Sequence, residues 1–274
     1  MELICPVCGC FLQSNDASFW CENNHRFDRS RKGAVNLLMT SGKGKHHGDD
    51  KLMVRSRTEF LNKGYYDPLS RVICDTLVHT LPDHARIIDS GCGEGKYTAD
   101  VLQSFQEHGK NVDILGIDIS KDAISSLRSR SRDIAGVVAS SAKIPVKDGT
   151  ADCIMNLFSP LFPEEFLRVL GNNGFLIRAV PLEEHLIELK RAVYDNPYLN
   201  PHEDGLINGF SLIDRKRVEY SVDLNDNYDV RMLFQMTPYF YKTGKRDQEK
   251  LDGINQLSVT FSFGVFLYSL DQEG

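Results

Sequence analysis

Two short stretches of this sequence have the residue types and spacing to do chemistry. The first is Cys5-Pro6-Val7-Cys8 followed by Cys21-Glu22-Asn23-Asn24-His25, a C-x2-C-x12-C-x3-H pattern. A two-residue gap lets both sulfurs of a cysteine pair face one ion, and Cys21 with His25 closes a tetrahedron around zinc. Four protein ligands leave no open coordination position. The ion is therefore predicted to be structural, giving folding energy to a module too small to build a core. Cys10 is left over, one step outside the knuckle. The second stretch is Ile87-Ile88-Asp89-Ser90-Gly91-Cys92-Gly93-Glu94-Gly95-Lys96, where apolar β-formers lead into an acid and then into glycines at every second position. Glycines in such a loop let the backbone approach a ligand closely. Lys96 stands where the third glycine of G-x-G-x-x-G would be, so no pyrophosphate cradle is indicated.

A loop of this kind works at the carboxyl end of a buried parallel strand, and the downstream pattern supplies the strands and helices to build one. Periodicity predicts strand 86–90, helix 95–108, strand 112–117, helix 121–130 and strand 135–139. Strand 151–158, helix 163–170, strand 174–180 and helix 183–194 follow. The strand–helix alternation implies an α/β fold with a parallel sheet. Asp118, at the tip of the second strand, can accept two hydrogen bonds from a ribose diol. It can equally cap the helix beginning near Lys121, a role open to Ser120 as well. Phe210–Asp223 and Leu257–Leu270 alternate strongly and predict two further strands flanking Met232–Tyr241.

Upstream, residues 1–38 form the zinc-binding module, ending in the apolar Val35-Asn36-Leu37-Leu38. Residues 39–71 form a basic linker and helix, and residues 72–274 the large domain. Within the linker, the Gly/Lys/His-rich 39–50 reads as mobile, with His46 and His47 in solvent. An amphipathic helix is expected over 51–63 and another from Pro68 to Leu81. The segment after Cys21 is turn-like and too short for the helix of a DNA-reading finger. A zinc-ribbon-like hairpin fits, with Phe19 and Trp20 as its small core or as platforms for a base.

The bulk composition, 41% hydrophobic and 26% charged, is that of a globular protein. No apolar run long enough for a membrane span and no secretory signal are visible, so a cytoplasmic protein without membrane contact is expected, its cysteines suited to metal binding. The net charge of −6 argues against general nucleic-acid binding. Between residues 26 and 63, however, bases outnumber acids, and a local basic stripe can meet phosphates on an acidic protein. A solvated, soluble linker accounts for the same charge.

The D-x-G-x-G-x-G pattern from Asp89 to Gly95 resembles the first motif of Rossmann-like S-adenosylmethionine-dependent methyltransferases, whose sheets also end in an antiparallel strand. With the zinc knuckle in front of it, the whole chain resembles the bacterial 23S ribosomal RNA (guanine-N1)-methyltransferase family. The resemblance is carried by Cys5 to Cys8, Cys21 to Asp28, Gly33 to Leu38, Arg57 to Leu69 and the glycine loop. It continues through Asp118 to Ser120, Ala139 to Ser141, His185 to Lys190 and Leu233 to Pro238.

That resemblance implies methylation of a guanine in a hairpin loop of 23S ribosomal RNA. It places Tyr66 and His185 on the cofactor beside Gly91, Gly93, Gly95 and Lys96, with Asp89 and Glu94 in the same loop and Asp118 on the ribose. Tyr66 could also be a packed turn residue, and His185 a helix-cap neighbour. Asn156, in Asn156-Leu157-Phe158-Ser159-Pro160, is the candidate for orienting the guanine edge, and Phe158 or Tyr239 for stacking on it; some members carry a different polar residue at Asn156. The zinc module and Arg26–Lys63 would clamp the RNA, and a homodimer is compatible with the pattern. Two rivals stand beside this reading: a small-molecule methyltransferase, and a zinc-dependent nucleic-acid-binding protein with an inactive domain.

Overall fold

The computed structural model describes residues 1–39 and 49–271. Most of the expected linker, with His46 and His47, lies outside them. The N-terminal ribbon is a three-stranded antiparallel sheet of β1 (Gln13–Ser14), β2 (Ser18–Trp20) and β3 (Arg26–Asp28). Its β1–β2 turn is closed by Asn15, whose Oδ1 accepts from the backbone amides of Ala17 and Ser18, both at 2.9 Å. The next strand, β4 (Val35–Asn36), leaves the ribbon and pairs in parallel with the edge of the main sheet. The module expected to end at residue 38 therefore gives its last strand to that sheet, with Leu3, Val35 and Leu37 buried in one of its core layers.

Two helices precede the sheet proper, α1 (Lys51–Leu61) and α2 (Asp67–Thr80). Asp50 caps α1, its side chain accepting from the Met53 amide. Then follow β5 (Ala85–Ser90), α3 (Lys96–Glu107), β6 (Val112–Asp118), α4 (Lys121–Arg130), β7 (Ala135–Val138), β8 (Ala151–Leu157), α5 (Pro163–Val169) and β9 (Leu170–Pro181). The remaining elements are α6 (Ile187–Val193), β10 (Phe210–Leu224), α7 (Asn227–Gln235), α8 (Tyr239–Lys242), α9 (Lys245–Glu249) and β11 (Leu257–Leu270).

The eight-stranded sheet has the order β10-β11-β9-β8-β5-β6-β7-β4. It is parallel from β9 to β4, and the last pair is antiparallel. Ile87 and Ile88, adjacent in β5, enter separate core clusters, as a strand covered on both faces requires. The order changes direction at β5, between β8 and β6, so the crevice for a ligand opens beyond the carboxyl end of β5. Helix 183–194 is shorter than its apolar pattern suggested. Leu186 adopts φ 55°, and α6 starts only at Ile187.

Candidate active site and metal centre

At the carboxyl end of β5 the chain turns through Gly91 (φ 83°), Gly93 (φ 55°) and Gly95 (φ 87°), all in the left-handed region that side chains resist. The three glycines do different work. A Cβ on Gly91 would fall on the Ser159 side chain, so the β5 and β8 loops meet there without room for a methyl group. Gly93 faces the cavity, and its amide donates to Asp118 Oδ2 at 3.0 Å. Gly95 is the N-cap of α3, and a Cβ there would lie 3.0 Å from the Leu127 Cα, so it lets α4 pack closely.

The loop forms one wall of a cavity of about 370 Å³. Asp89, buried at its floor, accepts from the Thr98 hydroxyl at 2.6 Å through Oδ2, while Oδ1 has no partner. Burial, with a smaller contribution from Asp118, pushes this carboxyl up to about 7. Tyr97 also lines the cavity, and its hydroxyl is buried and unpartnered. Tyr66 and His185 converge on the same space, Tyr66 edge-on to Phe261 at 4.9 Å and His185 4.5 Å from the Phe263 ring. His185 Nδ1 accepts from the Ser262 amide at 3.3 Å, and burial, then the nearby Lys190 charge, brings the imidazole down to about 3. It is neutral at physiological pH.

The other expected residues are placed less directly. Lys96 lines the cavity, but its ammonium is taken by Asp100 at 2.5 Å and Asp67 at 3.3 Å. Glu94 is buried against Arg130, whose Nε lies 2.5 Å from its carboxylate. Asp118 does not line the cavity; its oxygens accept from the Gly93 and Ser120 amides, while the Ser120 hydroxyl caps α4 through the Ala123 amide. Asn156, expected on the guanine edge, is not among the residues lining the cavity, and its Oδ1 is buried without a partner. The residue is buried, and its Nδ2 donates to the Ser159 hydroxyl at 2.7 Å and the Pro160 carbonyl at 3.0 Å. Ser159 in turn donates to the Ser90 carbonyl at 2.6 Å. Asn156 thus holds the β8 loop against the β5 loop.

Arg57, expected only in the RNA clamp, lines the cavity. It projects from α1 to within 3.5 Å of the Cβ position of Gly93, pairs with Asp49, and donates to the Met236 carbonyl at 3.2 Å. The signal was present in the spacing: Arg57 follows Met53 by one helical step and precedes Phe60 and Leu61 by another, so it shares their buried face. Arg55 points elsewhere, exposed and paired with Glu59.

In the ribbon, one ligand atom from each of Cys5, Cys8, Cys21 and His25 lies within 4.8 Å of all the others. The Cys5–His25, Cys8–Cys21 and Cys21–His25 separations are 3.6, 3.6 and 3.4 Å, with His25 presenting Nδ1. Tetrahedral zinc with bonds of about 2.3 Å to sulfur and 2.0–2.1 Å to nitrogen requires edges of roughly 3.5–3.8 Å. The cluster therefore fits zinc with all four positions filled. Cys10 stands apart, accepting from Asn23 Nδ2 at 3.4 Å.

The cavity fits S-adenosylmethionine on two independent grounds. An unpartnered carboxylate oxygen on Asp89 suits the donor's ammonium, and the open face of Gly93 admits a ligand against backbone. Residues 87–174 match a methyltransferase domain family, and residues 3–44 match the zinc-ribbon family described as RlmA, N-terminal. The fold is shared with the [4+2]-cyclase SpnF, at a TM-score of 0.50 and 15% identity over 76% of this chain and 81% of that one. Together, fold and site define a Rossmann-like S-adenosylmethionine-dependent methyltransferase carrying a structural zinc ribbon.

Within that class the family is narrower. A 23S rRNA (guanine(748)-N(1))-methyltransferase of Streptomyces fradiae is 34% identical over 70% of this chain and 67% of its own length. A Bacillus subtilis (strain 168) protein, provisionally named a 23S rRNA (guanine-N(1)-)-methyltransferase, is 30% identical over 96% of this chain and 95% of its own. The chain belongs to the 23S rRNA (guanine-N1)-methyltransferase family.

Proposed function

We propose that this protein methylates N1 of a guanine in a hairpin loop of 23S ribosomal RNA. The supporting observation is Phe158. This aromatic residue follows β8 at φ 56°, a conformation that costs a bulky side chain on the order of 1–3 kcal/mol, and it remains 42% exposed at the cavity beside the glycine loop. Strain of that kind persists where the surroundings impose it, here through the Asn156–Ser159–Ser90 ties. An exposed ring held in this way offers a stacking platform for a base, worth about 1–3 kcal/mol, and Tyr239 lines the same cavity. Bases in RNA loops, guanine among them, are splayed out to such a site at less cost than paired ones.

Bound S-adenosylmethionine supplies an electrophilic methyl group on its sulfonium. Asp89 would hold the donor's ammonium, and Gly93 would admit its body against the backbone. Asn156 acts by fixing the β8 loop, which makes it a positioning residue. His185, neutral and already accepting at Nδ1, is a donor through Nε2 and not a base. The N1 proton must therefore leave through an environment that favours the anion. In the ribbon, Arg26 lies 5.9 Å from the Trp20 ring centroid and Arg29 5.3 Å from that of Phe19, pairing cations with aromatic faces as RNA contacts do. A homodimer has an available edge in β10, where Leu212 and Ile213 are exposed.

Radiolabelled methyl transfer to unmodified 23S RNA, followed by mapping of the product, tests the proposal. N1-methylguanine confined to one loop supports it. Label on a small molecule only, or no transfer despite tight cofactor binding, removes it.

A further inference from the structure

Lys190 on α6 is buried to 1% exposure and has no carboxylate within ion-pair distance among the described residues. Its ammonium is held by neutral groups only, donating to the Asn200 Oδ1 at 2.7 Å and the Tyr198 carbonyl at 3.1 Å. Two phenol rings complete the enclosure, with centroids 4.7 Å (Tyr198) and 5.1 Å (Tyr239) from Nζ. Charged groups are rarely buried without a counter-charge, because desolvation costs several kcal/mol per ion. Burial lowers the pKa of such a lysine, and while protonated it is a source of positive potential with no acid paired to it. One of its two rings belongs to Tyr239, a wall of the cavity, and Tyr239 also donates to Asn200 at 3.3 Å.

Resting on the guanine acceptor proposed above, we propose that Lys190 is a positioning and electrostatic residue for that acceptor: it fixes Tyr239 at the cavity wall and favours guanine in its N1-deprotonated form. The step balances simply. N1 loses its proton to solvent, the resulting lone pair forms the N–CH3 bond, and the S–CH3 electron pair stays on sulfur as the sulfonium becomes a thioether. A positive potential lowers the pH at which the first event occurs.

Among the described residues no acid pairs with Lys190. The Tyr198 and Tyr239 rings face its ammonium, and the Glu188 carboxylate on the same helix is turned to the Thr260 amide and hydroxyl at 2.9 Å each. At the helix end, Lys250 is paired with Asp195 and Asp247. The exposed Arg191 points into solvent. The low value of His185, which lines the cavity, comes first from burial and then from the nearby Lys190 charge.

The test is the pH profile of single-turnover methyl transfer to 23S RNA in the full-length zinc-loaded protein. Two variants are compared with the unaltered protein. Lys190→Met removes the charge, and Asn200→Asp leaves the lysine in place but neutralises it. Both should shift the rising limb to higher pH by about one unit, a rate loss of roughly tenfold at neutral pH that closes as pH rises. Melting temperature and cofactor affinity, measured alongside, report any loss of fold. A rate lowered equally at every pH in Lys190→Met, or an unshifted profile in Asn200→Asp with its fold intact, overturns the proposal. If the unaltered protein makes no N1-methylguanine, the acceptor assignment itself fails, and that outcome is visible without either variant.

Discussion

Asp89 shows how one buried atom ties binding to pH. Its folded value of about 7 lies above the ordinary 3.8 because burial disfavours the charge. A raised acid means that the folded chain holds the proton more tightly than the unfolded one. Asp89 thus favours the fold most below about pH 4, loses that contribution as pH rises to about 7, and opposes folding by a constant amount above. Binding has the opposite sign, since a cationic donor wants the ionised acid. Cofactor affinity should climb by up to about tenfold per pH unit between 5.5 and 7, with proton release on binding, and then level off. Calorimetry in buffers of different ionisation enthalpy reads both effects. Asp89→Asn should flatten the profile and weaken binding; a slope that survives in Asp89→Asn would assign the proton to another group. Gly91→Ala belongs to the same scale. With φ 83° and Ser159 where the methyl would go, it should lower both stability and cofactor affinity.

Among the elements, α1 changes meaning between sequence and structure. Arg55 and Arg57 look alike in a basic stretch, but one is exposed and the other covers Gly93. Replacing both together would mix two effects. Arg57→Ala should weaken cofactor binding about tenfold or more, because a partly buried guanidinium next to the loop is lost. Arg55→Ala should leave cofactor affinity within twofold and affect only RNA binding and its salt dependence. Equal effects on cofactor binding would show that α1 does not close the cavity.

The same contrast explains what was legible. The α/β alternation and the metal ligands follow from local spacing, the antiparallel final pair from the resemblance, and the α4 bounds Lys121–Arg130 match the expected ones, with Ser120, one of the two candidates, as the cap. The cavity wall was harder to foresee. Asn156 and Arg57 take their places through contacts with Ser159, Pro160 and Met236, which depend on where three loops meet and leave no periodic trace. β4 escaped for a similar reason, since two residues carry no alternation and only the pairing with β7 makes them a strand.

Over the whole molecule, β4 joins the metal to the sheet. The ribbon is tied down by Ile4, whose amide donates to the Pro145 carbonyl at 2.8 Å, and by Lys32, which donates to the Ser129 hydroxyl at 2.6 Å on α4. From β3 the chain runs directly into β4, at the opposite side of β6 and β5 from β8. Removing zinc should therefore unfold the ribbon and strip the outermost strand, exposing Val35, Leu37 and the β7 edge, while the glycine loop two strands further in keeps its frame. The expected outcome of chelation is a lower-temperature first unfolding step and loss of methyl transfer to RNA, with cofactor affinity reduced by less than about threefold. Scanning calorimetry and cofactor titration on the same chelated sample check this. Loss of cofactor binding in step with zinc would show instead that ribbon and cavity fold as one cooperative unit. The metal would then support the chemistry as well as RNA capture.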